Sequence, residues 1–177
     1  MKKGFFLIIV VMIASLIIAG MWNSVPFIGN SVHAVLDPTF GNLLNMNFNI
    51  GFITVVFIIV FLTTLVQKYG SDQEALKNLK EEQKKLQEEM KKYKDDPAKM
   101  IEFQKKQFTE HLPRTFELSM APLVYTAIPF ILLIRWFTDI FKNLGDPKIL
   151  GFLGWIWAYF LLSLIFSAIL RKVMKVY

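Results

Sequence analysis

Four long apolar runs alternate with polar segments along this chain: 4–22, 48–66, 115–138 and 149–170. Each is close to the roughly 20 residues that a helix needs to cross a bilayer. A chain of this length has too little interior to bury four such helices in a soluble core. The pattern therefore predicts an all-α membrane protein. Its expected parts are an N-terminal transmembrane anchor helix (1–22), an outer loop (23–47), and core transmembrane helices at 48–67, 115–138 and 149–170. A cytoplasmic helical hairpin at 71–111 lies between the first two core helices. The loop is rich in Gly, Pro and Asn, with room for a short interfacial helix and a turn at Asp37-Pro38. The first run reads as a retained anchor. A cleaved signal peptide ending near Val32-His33-Ala34 is the alternative.

The polar middle has its own periodicity. Gly70 can end the second run, and Ser71-Asp72-Gln73-Glu74 has the form of a capping box, so a helix can start at 71. Leu76, Leu79, Gln83, Leu86, Met90 and Tyr93 follow the three-four steps of a coiled-coil seam. Lys94 is the expected end of that helix. Asp95-Asp96-Pro97 then supplies a cap and a proline suited to a first turn. In the second arm, Met100, Ile101, Gln104, Phe108 and Leu112 are expected on one side. Two amphipathic arms joined so tightly predict an antiparallel hairpin, with a spacer or dimerisation coil as the plainer use.

Charge decides orientation. The net charge is +6, but 71–111 holds ten Lys and ten acidic residues. The excess sits beside the apolar runs, at Lys2, Lys3, Lys68, Arg114, Arg171, Lys172 and Lys175, while 23–47 has no Lys or Arg. This is a positive-inside pattern. It predicts a multi-pass protein of the cell membrane with both termini and the hairpin cytoplasmic, and no specific nucleic-acid site. With no Cys and two distant His, thiol chemistry and a metal site are not expected. Phosphate-loop, nucleophile-elbow and zinc-protease motifs are missing from the sequence, so neither an enzyme nor a cofactor is expected.

The last two runs carry polar stripes. Ser119, Pro122, Thr126 and Pro129 recur at steps of three and four, with Tyr125 beside them. Trp155, Tyr159, Ser163, Ser167 and Arg171 recur at steps of four. Such hydroxyls either join helices or line a wet groove. Thr54, Thr63 and Thr64 make no single stripe. Arg114 and Glu117 are expected to pair at the inner interface, near Arg171 and Lys172. Arg135 and Trp136 are expected to reach the outer headgroups.

The stretch "SDQEALKNLKEEQKKLQEEMKKYKDDPAKMIEFQKKQ" followed by "APLVYTAIPFILLIRWF" resembles the archaeal YidC-like branch of the Oxa/YidC membrane protein insertase superfamily. The D-Q start, the D-P-x-K-M restart and the later I-P carry the resemblance, which covers roughly 40–170. It implies a three-helix core with a hydrophilic groove open to cytoplasm and lipid, and kinship with the third subunit of the eukaryotic ER membrane complex. It implies an insertase or chaperone whose partners are nascent membrane proteins, the ribosome, the lipid bilayer and a possible further membrane subunit. The expected groove residues are Ser119, Pro122, Tyr125, Thr126, Pro129, Tyr159, Ser163 and Ser167. Met90, Met100, Ile101 and Phe108 are the expected client or ribosome contacts on the hairpin. Many bacterial relatives place an arginine in the groove from the first core helix, whereas 48–66 has no charged residue. A non-translocating scaffold that recruits a partner through its coiled coil is the alternative reading. A channel or transporter is a weaker third.

Overall fold

The computed structural model describes residues 2–93 and 96–176; the side chains of residues 2–5, 119, 121 and 123 lie outside that description. Lys94, Asp95 and the Ser119 side chain, all named above, fall outside it. The described chain is helical, with an isolated bridge between Ile149 and Leu153. Its helices are α1 (Lys2–Gly20), α2 (Pro26–Leu36), α3 (Asn42–Met46), α4 (Phe48–Gly70), α5 (Gln73–Lys92), α6 (Pro97–Lys106), α7 (Leu112–Asn143) and α8 (Trp155–Met174). Three helical stretches are long and apolar enough to cross a membrane: Phe48–Gly70, Val124–Asn143 and Trp155–Met174. The described side chains of α1, Phe6–Gly20, are apolar as well.

Helix α4 shows why the bundle holds. Phe52, Val55, Val56, Ile59 and Val60 are buried at helical spacing. They join Trp136, Phe137 and Phe141 of α7 and Ala158 and Leu170 of α8 in one core. Phe57, Phe61 and Leu62 of α4 and Ile156, Trp157 and Leu164 of α8 are exposed. That is the disposition expected where lipid rather than water surrounds a bundle. Between helices in lipid the gain comes from close packing and hydrogen bonds, not from escaping water.

The 23–47 segment is more ordered than a loop. It forms α2, a π turn (Asp37–Gly41) and α3. The Asp37-Pro38 turn is therefore part of a helical run. Pro38 has no N–H to return to the preceding turn, and the run takes it up where the helix widens into the π turn. Helix α3 crosses the start of α4 so closely that a methyl group on Gly51 would overlap the Leu43 carbonyl. Asn47 caps α4, accepting from the Ile50 N–H at 3.1 Å.

Helix α1 packs along α7. Trp22, just past α1, meets Arg135 and Asp139 on the side of α7 opposite Phe137, because two residues turn a helix by roughly 200°. Trp136 does not reach outward: it is fully buried and donates its indole N–H to Asp37 at 2.7 Å. The Arg135 guanidinium lies 6.0 Å from the Trp22 ring, and its Nε is buried without a hydrogen-bond partner. Trp136 thus faces the Asp37 turn, which corrects the headgroup role expected for it, while Arg135 lies beside Trp22.

The hairpin forms with two corrections. Asp72, not Ser71, caps α5 by accepting from the Ala75 N–H, while the Ser71 hydroxyl donates back to the Gln67 carbonyl. Leu76, Leu79 and Leu86 are buried as the seam requires. In the second arm, however, Ile101, Gln104 and Phe108 are exposed. The less exposed side is Met100, Phe103, Gln107 and the buried His111. Steps of three and four from Met100 reach those residues, whereas Ile101 and Phe108 stand about 100° round the helix. Asp96 caps α6, accepting from the Lys99 N–H, and Tyr93 meets Phe103 across the arms at 5.9 Å.

Nor does the second arm stop before the membrane. Helix α6 passes through a π turn (Gln107–His111) into α7 with helical backbone angles at both junctions. Residues 97–143 are one continuous rod, which carries the hairpin directly on a core helix. Its partner arm α5 hangs from α4 by the extended Ser71 and Asp72.

Candidate functional site

Helices α7 and α8 each pack on α4 more closely than on each other. Among the described residues, the ring contacts between them lie toward the end away from the hairpin. Trp155 lies 5.8 Å from Phe137 and 5.6 Å from Phe141, and Tyr159 lies 6.0 Å from Phe137 and 6.2 Å from Phe130. Phe52 of α4 backs this cluster, edge-on to Phe137 and Phe141. Phe52, Phe137 and Phe141 are at most 1% exposed.

Past Tyr159 toward the hairpin side, the ring and hydrogen-bond contacts of α8 go to α4. Phe166 meets Phe57 edge-on at 5.4 Å, and Arg171 donates to the Gln67 Oε1 at 2.9 Å. Helix α7 carries Pro122 and Pro129 over the facing stretch. Over this stretch α7 and α8 stand apart, each packed on α4, and the ring cluster bounds the gap between them, here termed the cleft, at its far end.

The expected groove residues divide. Thr126, Tyr159, Ser163 and Ser167 are partly exposed. Thr126 gives its hydroxyl to the Pro122 carbonyl at 3.1 Å, and Ser163 to the Phe160 carbonyl at 2.8 Å. These are bonds within one helix, so neither hydroxyl joins α7 to α8. Thr54, Thr63 and Thr64 of α4 also bond their own helix. Pro122 is buried, whereas Pro129 is exposed, so the proline stripe does not share one environment. Tyr125 is 68% exposed and stands beside Gly70 at the hairpin-side end of α4. Tyr159 belongs to the aromatic seal as much as to the cleft.

At the mouth of the cleft, charge is arranged by the hairpin. Arg114 is 3.3 Å from Glu82 of α5, a partner the Arg114–Glu117 spacing did not suggest. Gln83, the polar residue in the α5 seam, donates to the Thr115 hydroxyl at 2.9 Å, and Thr115 donates to the His111 carbonyl. The seam residue is thus a docking contact with the start of α7. Met90 and Met100 line an apolar hollow of about 290 Å³ with Gln87 and Lys91. Ile101 and Phe108 stand free on the outside of the hairpin.

A further polar cluster gathers on the far side of α7. Trp22 donates to Asp139 at 2.6 Å. His33 lies 3.0 Å from Asp37 and 3.5 Å from Asp139. Beside it, a cavity of about 450 Å³ is lined by Asp37, Asn42, Asn45 and Asn143, among others. His33 and Asp37 are local neighbours at i, i+4, but only contacts across more than a hundred residues bring Trp22 and His33 to Asp139. No set of three His, Asp, Glu or Cys able to hold a metal occurs among the described residues.

A sequence model of the integral membrane EMC3/TMCO1-like family matches residues 33–150, from α2 to the connection before α8. The chain belongs to the EMC3/TMCO1-like family. That family is part of the Oxa1/YidC/Alb3/EMC insertase-related superfamily. The protein is therefore a multi-pass membrane protein of an insertase-related family. The matched span includes α4, both arms of the hairpin and α7. No curated protein and no solved structure matches the chain significantly.

Proposed function

We propose that this protein is a membrane insertase and chaperone. It passes short segments of client membrane proteins into the bilayer through the cleft between α7 and α8. In this reading the hairpin, both termini and the cleft mouth face the cytoplasm, as the charge pattern of the flanks suggests. The order of the D-Q start, the D-P-x-K-M restart and the I-P favours the archaeal YidC-like branch. Nascent chains, the ribosome and a further membrane subunit are the proposed partners.

The observation that carries the reading is the asymmetry of the cleft. Rings close it at one end, and at the other α8 turns to α4 and leaves α7 apart. A charged client tail costs several kcal/mol or more to bring into hydrocarbon. A cleft that admits water partway, beside Thr126, Ser163 and Ser167, shortens the dry distance that tail must cross. The client's apolar segment then leaves sideways into lipid, and its own transfer supplies the driving force. No nucleotide is needed.

The chain has no cysteine, so single cysteines at Thr126, Ser163 and Ser167 are clean probes. Water-soluble thiol reagents should label them, and a stalled membrane client should crosslink to them more than to lipid-facing Ile156 or Leu164. Dry, unlabelled positions without client crosslinks would favour the scaffold reading and exclude this one.

A further inference from the structure

On the side of α7 away from the cleft, one imidazole stands between two carboxylates. The His33 Nδ1 lies 3.0 and 3.1 Å from the two oxygens of Asp37, one helical turn further along the chain. Its Nε2 lies 3.5 Å from the Asp139 Oδ2 on α7. Neither carboxylate is idle. Asp37 also accepts from the Trp136 indole at 2.7 Å, and Asp139 accepts from the Trp22 indole at 2.6 Å. Each indole thus holds an acid in place against the imidazole. The Trp22 ring itself lies 6.1 Å from the His33 ring.

The number of protons on the ring decides whether this arrangement is favourable. A neutral imidazole has one N–H and one bare nitrogen, whichever tautomer it adopts. Between two carboxylates, the bare nitrogen sets a lone pair against an anionic oxygen. The imidazolium has an N–H on both nitrogens and a positive charge, so it suits both acids at once. The other charged groups nearby are few. Helix α2 has no Lys, Arg, Asp or Glu, and α1 has none beyond Lys3. The π turn contributes Asp37. From α7, Asp139 faces the ring, and Arg135 shares its side of the helix with its guanidinium 6.0 Å from the Trp22 ring. Lys142, three residues past Asp139, is exposed.

We propose that His33 is a proton-operated clasp between α2 and α7. Protonated, it bridges Asp37 and Asp139 and holds α2 against the end of α7 that lies away from the hairpin. Deprotonated, one of the two bridges becomes a repulsion, and α2 stays tied only at its flanks, through Trp22 on one side and the Asp37 turn on the other. The clasp therefore tightens on acidification and loosens as pH rises, in the range where histidine changes charge. His33, Asp37 and Asp139 have side chains 26%, 48% and 35% exposed, so solvent supplies the proton. Asp37 is also a wall of the cavity of about 450 Å³ lined by Asn42, Asn45 and Asn143, so a looser α2 alters that cavity. In the orientation proposed above, the proton arrives from the side opposite the cytoplasm. The cleft takes no part, because Asp139 is on the opposite side of α7 from Phe137.

The test is a distance measurement between two spin labels on the full-length protein in lipid nanodiscs, at about pH 5.5 and about pH 8.5, to either side of the ordinary histidine transition. The chain has no cysteine, so exposed Val35 of α2 and Leu144 at the end of α7 can be replaced to take the labels. The narrow distance distribution of the lower pH should be lost at the higher one. His33→Gln should give one broad distribution at both. Nitrogen NMR of histidine-labelled protein should show an imidazolium at the lower pH that His33→Gln removes. Should His33→Gln fail to fold, Asp139→Asn keeps an oxygen for Trp22 but removes the charge, and it should shrink the pH response. A wild-type distribution that is the same at both pH values overturns the clasp. So does a pH response that persists in full in His33→Gln or Asp139→Asn, since the proton then acts elsewhere.

Discussion

Trp22 and Asp139, 117 positions apart, share a hydrogen bond of 2.6 Å that ties the end of α1 to α7. The acceptor is a carboxylate, so the bond is charge-assisted and stronger than a neutral one. The same carboxylate lies within 3.5 Å of His33. One side chain on α7 thus holds both the first helix and the segment that follows it.

Breaking that bond should be measurable by a double-mutant cycle. Asp139→Ala is expected to cost about 1.5–3 kcal/mol in thermal unfolding in detergent. Trp22→Phe removes the donor and should cost less, since the ring still packs against Gly29. The double variant should fall short of the sum, because both changes remove one shared bond. Strict additivity would mean that α1 is held by packing alone.

Gly51 is the second test. It is buried where the α3 backbone crosses α4, and an added methyl meets the Leu43 carbonyl. Backbone cannot swing aside as a side chain tip can, so Gly51→Ala should destabilise by at least about 1–3 kcal/mol. Gly20, around which there is open space, is the control: Gly20→Ala should leave the unfolding temperature unchanged or raise it.

Docking of the hairpin should depend on Gln83 more than on Glu82. The Glu82–Arg114 pair is exposed on both sides, and such pairs are worth about 0–1 kcal/mol. The Gln83–Thr115 bond is part-buried, and losing it should cost about 1 kcal/mol. Hydrogen exchange at the α5 amides should therefore rise clearly in Gln83→Ala and little in Glu82→Ala. The reverse order would place the docking energy in the ion pair.

Much of this architecture was legible in local sequence. Length and hydropathy pointed to four crossings, and three helical stretches are long and apolar enough to span, because a bilayer imposes a fixed length on any apolar helix. Asp96-Pro97 announced the second arm, because cap and first-turn chemistry acts over four residues. Leu76, Leu79 and Leu86 gave the seam for the same short-range reason. The same local rules went astray at Ser71, where two candidate caps adjoin and the backbone chose Asp72. They went astray again at Ile101 and Phe108, which lie one residue off the side that faces the other arm.

Sequence alone, then, determined an all-α membrane protein with a helical hairpin between its first two core helices and hydroxyls along the last two. The tertiary structure decided the rest. It set α1 along α7, fused the second arm to the core through a π turn, and let rings rather than hydroxyls join α7 to α8. Spacing records which residues share a side of one helix, but not which helix comes to face that side. The choice depends on packing across long sequence separations, as Trp22 with Asp139 and Trp136 with Asp37 show.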